Sequence, residues 1–135
     1  MTLQLSTPVR NARLDAIETQ IGPGAILKIR TGAPPANCGT ADSGTVLATL
    51  TLPSDYMAAA SGGSKAKSGT WEDLSADAAG TAAHFRLYAS DGTTCGLQGT
   101  VTATGGGGDM TLDNVVLAVA QQFTVTGFTI NEPNG

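Results

Sequence analysis

Between residues 81 and 103, apolar and polar positions alternate with a period of two on either side of a short polar break. Phe85, Leu87 and Ala89 oppose His84, Arg86 and Tyr88; then Leu97, Gly99, Val101 and Ala103 oppose Gln98, Thr100 and Thr102. Successive side chains of a strand point to opposite faces, so the pattern predicts a β-hairpin with one buried and one wet face. Ser90, Asp91, Gly92 and Thr93 supply the turn, because Asp-Gly accepts the positive φ angles that match strand twist.

The same reading extends along the chain. Residues 7–21 form the one convincing helix: Ser6 or Thr7 caps it, Pro8 suits its first turn, and Gly22-Pro23 ends it. Its apolar stripe, Leu14, Ile17 and Ile21, is narrow, and Arg10, Arg13, Asp15 and Glu18 read as its solvated surface. A helix of this length is marginal alone and must dock, preferably on its own sheet. Strands are predicted over 25–30, 45–52, 65–73, 110–112, 115–119 and 122–130, with a bulge at Gly127 in the last. Residues 54–60 read as a helical turn, the Pro-rich segment 31–44 as a loop, and the four glycines 105–108 as a flexible or tightly folded loop. Seven or eight strands, one short N-terminal helix and no helix–strand rhythm predict an all-β fold, an antiparallel β-sandwich or small barrel. The whole chain, 1–135, reads as a single domain with the helix at 7–21 and the sandwich at 25–130.

Composition changes this picture little. Aromatics are only 4% and charged residues 13%, with 18 glycines, so small side chains and turns dominate a globular chain. Net charge is −4: residues 1–67 carry six Lys/Arg and four acids, and residues 68–135 carry one Arg and seven acids. Nucleic-acid binding needs clustered cations, so it is not expected. Cys38 and Cys95 have neither CxxC nor Cys/His spacing; they read as free thiols, with a long-range disulfide left open. Residues 1–10 lack the basic and apolar regions of a signal peptide, and no stretch approaches a membrane span, so a soluble protein made in the cytoplasm is expected.

Candidate chemistry is sparse. His84, the sole histidine, falls on the outward side of its strand and has no identifiable nucleophile or carboxylate partner. Asp73, Asp77, Asp109 and Asp113 lack the spacing of a calcium loop, and residues 105–108 lack the sequence of a phosphate loop. Thr100, Thr102, Thr124 and Thr126 could line a sugar-binding face, but Thr is also a good strand residue. Trp71 reads as a core anchor. No catalytic, cofactor-binding or metal-binding residue is assigned, no cofactor is expected, and an enzyme is not expected.

Five runs carry a resemblance: STPVRNARLDAIETQIG, ILKIRTGAPPANC, VLATLTLPSDYMAAA, GTWEDLSADAAGTAAHFRLYASDGTTC and GGGGDMTLDNVVLAVAQQFTV. Together they resemble small virion proteins of tailed bacteriophages, most closely the capsid cement, or decoration, proteins. The resemblance implies a jelly-roll-like β-sandwich that binds the outside of an assembled capsid and stabilises it. It implies the major capsid protein and further copies of the chain, as a dimer or trimer, as partners, and the capsid exterior as location. It brings no site residues. The expected contacts are loop 31–44, the helix and edge strands; the alternative is a tail- or fibre-associated structural or receptor-binding β-module.

Overall fold

The computed structural model describes residues 3–132. Among them the chain forms one helix, α1 (Thr7–Ile21), and ten strands. These are β1 (Ile26–Arg30), β2 (Val46–Thr51), β3 (Ser64–Ala66), β4 (Glu72–Asp73), β5 (Gly80–Thr81), β6 (His84–Tyr88), β7 (Cys95–Ala103), β8 (Met110–Leu112), β9 (Val116–Leu117) and β10 (Phe123–Asn131). Eight strands make one sheet in the order β2-β1-β6-β7-β8-β10-β3, with β4 also on β10, and β5 and β9 make a small second sheet. The protein is therefore mostly β with one short helix. β2 approaches β4 from the far end of the order, so the large sheet curves around a single core. Trp71 is buried there, with its ring 5.7 Å from Phe128 and 6.3 Å from Tyr56, while Phe85 meets Phe128 edge-on at 5.4 Å.

α1 has the predicted bounds because its signals are local. Ser6 Oγ accepts from the Val9 N–H at the start, and Gly22, at φ +86°, donates to the Glu18 carbonyl at the end. The hairpin pairs as expected, with Phe85 opposite Gly99 and Leu87 opposite Leu97, and β10 carries its irregularity between Val125 and Gly127.

The sheet is not wholly antiparallel: β7 and β8 run parallel, Val101 opposite Met110 and Ala103 opposite Leu112. Parallel neighbours usually need a long crossover. Here the glycines at 105–108 double the chain back along β7 within a short loop. Gly105 and Gly107 take φ of +87° and +83°, and a Cβ on Gly108 would lie 2.9 Å from the Thr102 backbone nitrogen. The glycine run is thus a tight fold-back.

Two further expectations are corrected. Residues 54–60 are not helical: Met57 bridges to Lys67, Ala58 N–H donates to the Ala66 carbonyl, and Gly62 and Gly63 turn the chain at positive φ. Burial of Tyr56 and Met57 outweighs the local preference of the alanines. The strand expected over 65–73 is divided into β3 and β4, with Gly69 at φ +73° between them.

Candidate functional site

The main concentration of ionisable chemistry lies on the polar face of the β6–β7 hairpin. That face is not wet: every residue of β6 is buried, and His84 is fully enclosed. The expectation of an outward-facing histidine fails because alternation reports polarity, whereas exposure depends on what lies above. Loop 31–44 lies above, and its carbonyls accept from Arg86, Gln98 and His84. Arg86 donates through Nη2 to the Asn37 and Thr40 carbonyls at 2.9 Å each, and through Nε to Gln98 Oε1 at 3.0 Å. Gln98 donates to the Pro35 carbonyl at 2.6 Å, and His84 Nδ1 lies 2.7 Å from the Gly32 carbonyl. Facing a carbonyl, Nδ1 carries the imidazole proton.

Asp42 is the hub. It accepts from Arg86 Nη1 at 2.7 Å, Tyr88 OH at 2.6 Å and Arg30 Nη2 at 3.1 Å. The Tyr88 hydrogen bond, then that of Arg86 and the charges of Arg30 and Arg86, hold its carboxyl below the usual range despite partial burial. Burial, reinforced by the bond to Asp42, raises the Tyr88 phenol. Burial also lowers the pKa of His84, with the charges of Arg30 and Arg86 adding to the effect and the Gly32 carbonyl opposing it. Two guanidiniums thus share one carboxylate, leaving one positive charge that loop carbonyls solvate. Arg30 Nε and His84 Nε2 are buried and have no hydrogen-bond partner among the described residues.

A disulfide between Cys38 and Cys95 fastens the loop to the start of β7, with Cα atoms 5.3 Å apart. The free-thiol expectation is therefore corrected. The loop folds back over the hairpin and brings its cysteine to the turn end of β7, a meeting that only the tertiary path defines.

A second polar seam fixes α1. Asn11, Asp15 and Glu18 recur at helical spacing, and their oxygens accept from the N–H groups of Gly63, Ala60 and Met57 at 2.9, 2.9 and 3.4 Å. Lys65, 2% exposed, adds ion pairs of 2.8 Å to Asp15 and 3.0 Å to Glu18. Burial disfavours the ammonium, yet bonds to both carboxylates outweigh it and raise its pKa. Asp15 and Glu18, read as solvated surface, are instead the docking face.

The other sequence candidates are dispersed and locally engaged. Asp73 accepts from Ser75 N–H, Asp77 from Thr49 Oγ1, Asp109 from Thr100 N–H and Asp113 from Thr124 N–H. Among the described residues no cluster of three or more His, Cys, Asp or Glu gathers as a metal site. Thr126 joins Thr104 and Thr111 in a hydroxyl ladder at 2.7 and 2.9 Å, and Thr102 Oγ1 accepts from Gly108 N–H, so these hydroxyls bond within the sheet. Sequence reasoning missed Arg30, Asp42 and Lys65; the available signal was four cations at strand positions, Lys28, Arg30, Lys65 and Arg86, in a chain with few charges.

No protein-family model, curated protein or solved structure matches the chain.

Proposed function

We propose that this chain is a structural protein of a tailed-bacteriophage virion: a jelly-roll-like cement module that binds the outside of the assembled capsid and stabilises it. Its partners are the major capsid protein and further copies of itself, as a dimer or trimer, without nucleic acid, membrane or cofactor, and it is not an enzyme. Binding the assembled shell in preference to free coat protein stabilises the shell by the difference in affinity.

The observation that carries this reading is a set of exposed apolar side chains on and beside the small second sheet. Leu74, Val116 and Val119 are 67%, 62% and 65% exposed. Their segments are joined by hydrogen bonds from Ala76 N–H to the Gln121 carbonyl and from Ala120 N–H to the Ala76 carbonyl. Exposed apolar side chains on neighbouring segments suit adhesion. The buried cations and His84, by contrast, are engaged in holding loop 31–44 and α1. The outer sides of that loop and helix extend the contact area.

The test is cryo-electron microscopy of particles decorated with purified protein. Hundreds of copies on the head are expected, with occupancy falling at least about tenfold for the folded Leu74→Asp/Val119→Asp variant, the loss of a small hot spot. Unchanged occupancy overturns the assignment of this surface, and a few copies confined to the tail favour the tail- or fibre-associated module.

A further inference from the structure

Loop 31–44 is attached to the sheet through polar groups. None of its residues is buried, and none belongs to the apolar core. Its neck is closed by Thr31 N–H donating to the Thr45 carbonyl at 3.1 Å and Thr45 N–H donating to Thr31 Oγ1 at 2.9 Å. Gly32 and Gly44, at φ +78° and +74°, turn the chain at its two ends. Between them the loop is held by the Cys38–Cys95 bond and by hydrogen bonds from Arg30, His84, Arg86, Tyr88 and Gln98. A segment with no buried apolar side chain opens at a lower free energy than the fold as a whole. Beneath it, His84 has Arg30 as its register partner on β1 and Thr100 on β7, with Arg86 two residues further along the same face of β6. Arg30, Arg86 and Asp42 are the charged groups acting on the ring. Lys28, 5.0 Å from the Tyr88 ring, adds a cation along β1, and the Thr100 hydroxyl engages Asp109. One loop carboxylate thus already serves two guanidiniums. Because Nδ1–H faces the Gly32 carbonyl, a second proton must go to Nε2, a buried atom with no hydrogen-bond partner among the described residues. A further buried cation without an acceptor or counter-charge is strongly disfavoured.

We infer that loop 31–44 is an acid-operated cover: a proton on His84 Nε2 detaches the limbs on either side of Cys38 from β6, while the sheet stays folded and the disulfide keeps the loop tethered. Opening lets water reach the imidazolium, which the closed loop leaves without an acceptor. The core face of β6, with Phe85 and Leu87, lies on the opposite side and is not disturbed. Asp42 stays ionised in mild acid because its carboxyl is held below 3.8, so His84 is the trigger. The open state presents Arg30, Arg86 and the imidazolium to solvent, a cationic face on a chain whose net charge is −4. The device belongs to this chain alone and does not depend on capsid binding.

Amide hydrogen exchange of the full chain with its disulfide intact, read as protection factors at pH 7.5 and pH 5, tests the cover. One proton taken up on opening by a histidine of ordinary pKa 6.5 limits the change to about 30-fold over this range. The expected result is a fall of about 10- to 30-fold at Thr40 and Thr45, with the amides of β1, β6 and β7 unchanged. His84→Asn, which keeps a donor for the Gly32 carbonyl and takes up no proton, should hold loop protection level between the two pH values. Wild-type loop protection indifferent to pH overturns the proposal. So does equal loss in loop and strands, which is unfolding of the whole sheet, or a fall that persists in His84→Asn. If that variant fails to fold, the wild type decides alone: the loop amides must lose protection along the pH curve on which the His84 ring proton titrates by nuclear magnetic resonance, and separate curves overturn the cover.

Discussion

His84 illustrates how a residue with catalytic potential becomes structural. Its Nδ1–H is committed to the Gly32 carbonyl, and Arg30, Arg86 and Asp42 are the charged groups that influence it. Because burial lowers its pKa, the folded state resists a proton that the unfolded chain accepts near the ordinary value of 6.5. Above that value both states hold neutral imidazole and the contribution to stability is complete. It is lost as pH falls from there through the lowered folded value. Asp42 acts in a separate window: its carboxyl is depressed below 3.8, so its contribution is present above that value and lost in stronger acid. His84→Asn keeps an N–H donor for the Gly32 carbonyl and removes the titration. Urea midpoints measured from pH 7.5 to 5 should fall for the wild type and stay nearly level for the variant; parallel slopes would assign the acid sensitivity elsewhere.

At the scale of elements, α1 is held by charge as well as by Leu14 and Ile21, which explains why its apolar stripe is so narrow. Its bounds are legible from Ser6, Pro8 and Gly22 because caps act over one turn. Its docking face is not, because Asp15 and Glu18 look like any solvated pair until Lys65 and the N–H groups of 57–63 are brought against them. The same limit applies to residues 54–60, where a locally helical composition yields to pairing with 64–67, and to β8, whose parallel partner depends on the fold-back through 105–108. The seam makes an asymmetric prediction. Lys65→Met leaves two partly solvated carboxylates that still accept from backbone N–H groups, and should cost about 1–3 kcal/mol. Asp15→Asn with Glu18→Gln instead leaves a buried ammonium without a counter-charge, and should cost more, about 3–5 kcal/mol. Urea unfolding of the two variants gives the order directly, and the reverse order would mean that the carboxylates, not the ammonium, bear the burial cost.

For the whole molecule, the decisive feature is that the large sheet curves round an apolar core on one side while a loop covers β6 on the other. Alternation along 84–88 correctly separates Phe85 and Leu87 from His84, Arg86 and Tyr88, and so finds the strand and its core face. It cannot reveal the loop, because the partners of Arg86 are carbonyls of Asn37 and Thr40, and every residue carries a carbonyl. The Cys38–Cys95 bond makes that cover permanent. It closes a sequence separation of 57 residues, for which chain-entropy reasoning gives about 4 kcal/mol of stabilisation through the unfolded state. The hydrogen bonds around Asp42 act in the folded state, so they should survive loss of the bond and keep the sheet intact. Replacing both cysteines by serine should therefore lower the unfolding free energy by about 2–4 kcal/mol, the usual range for a native disulfide, without changing the far-ultraviolet spectrum. Limited proteolysis should then cut first within 31–44, where the cover is released from β7. Cleavage that begins equally throughout the sheet would show that the disulfide supports the fold as a whole, and an unchanged denaturation midpoint would show that the Asp42 cluster alone holds the loop.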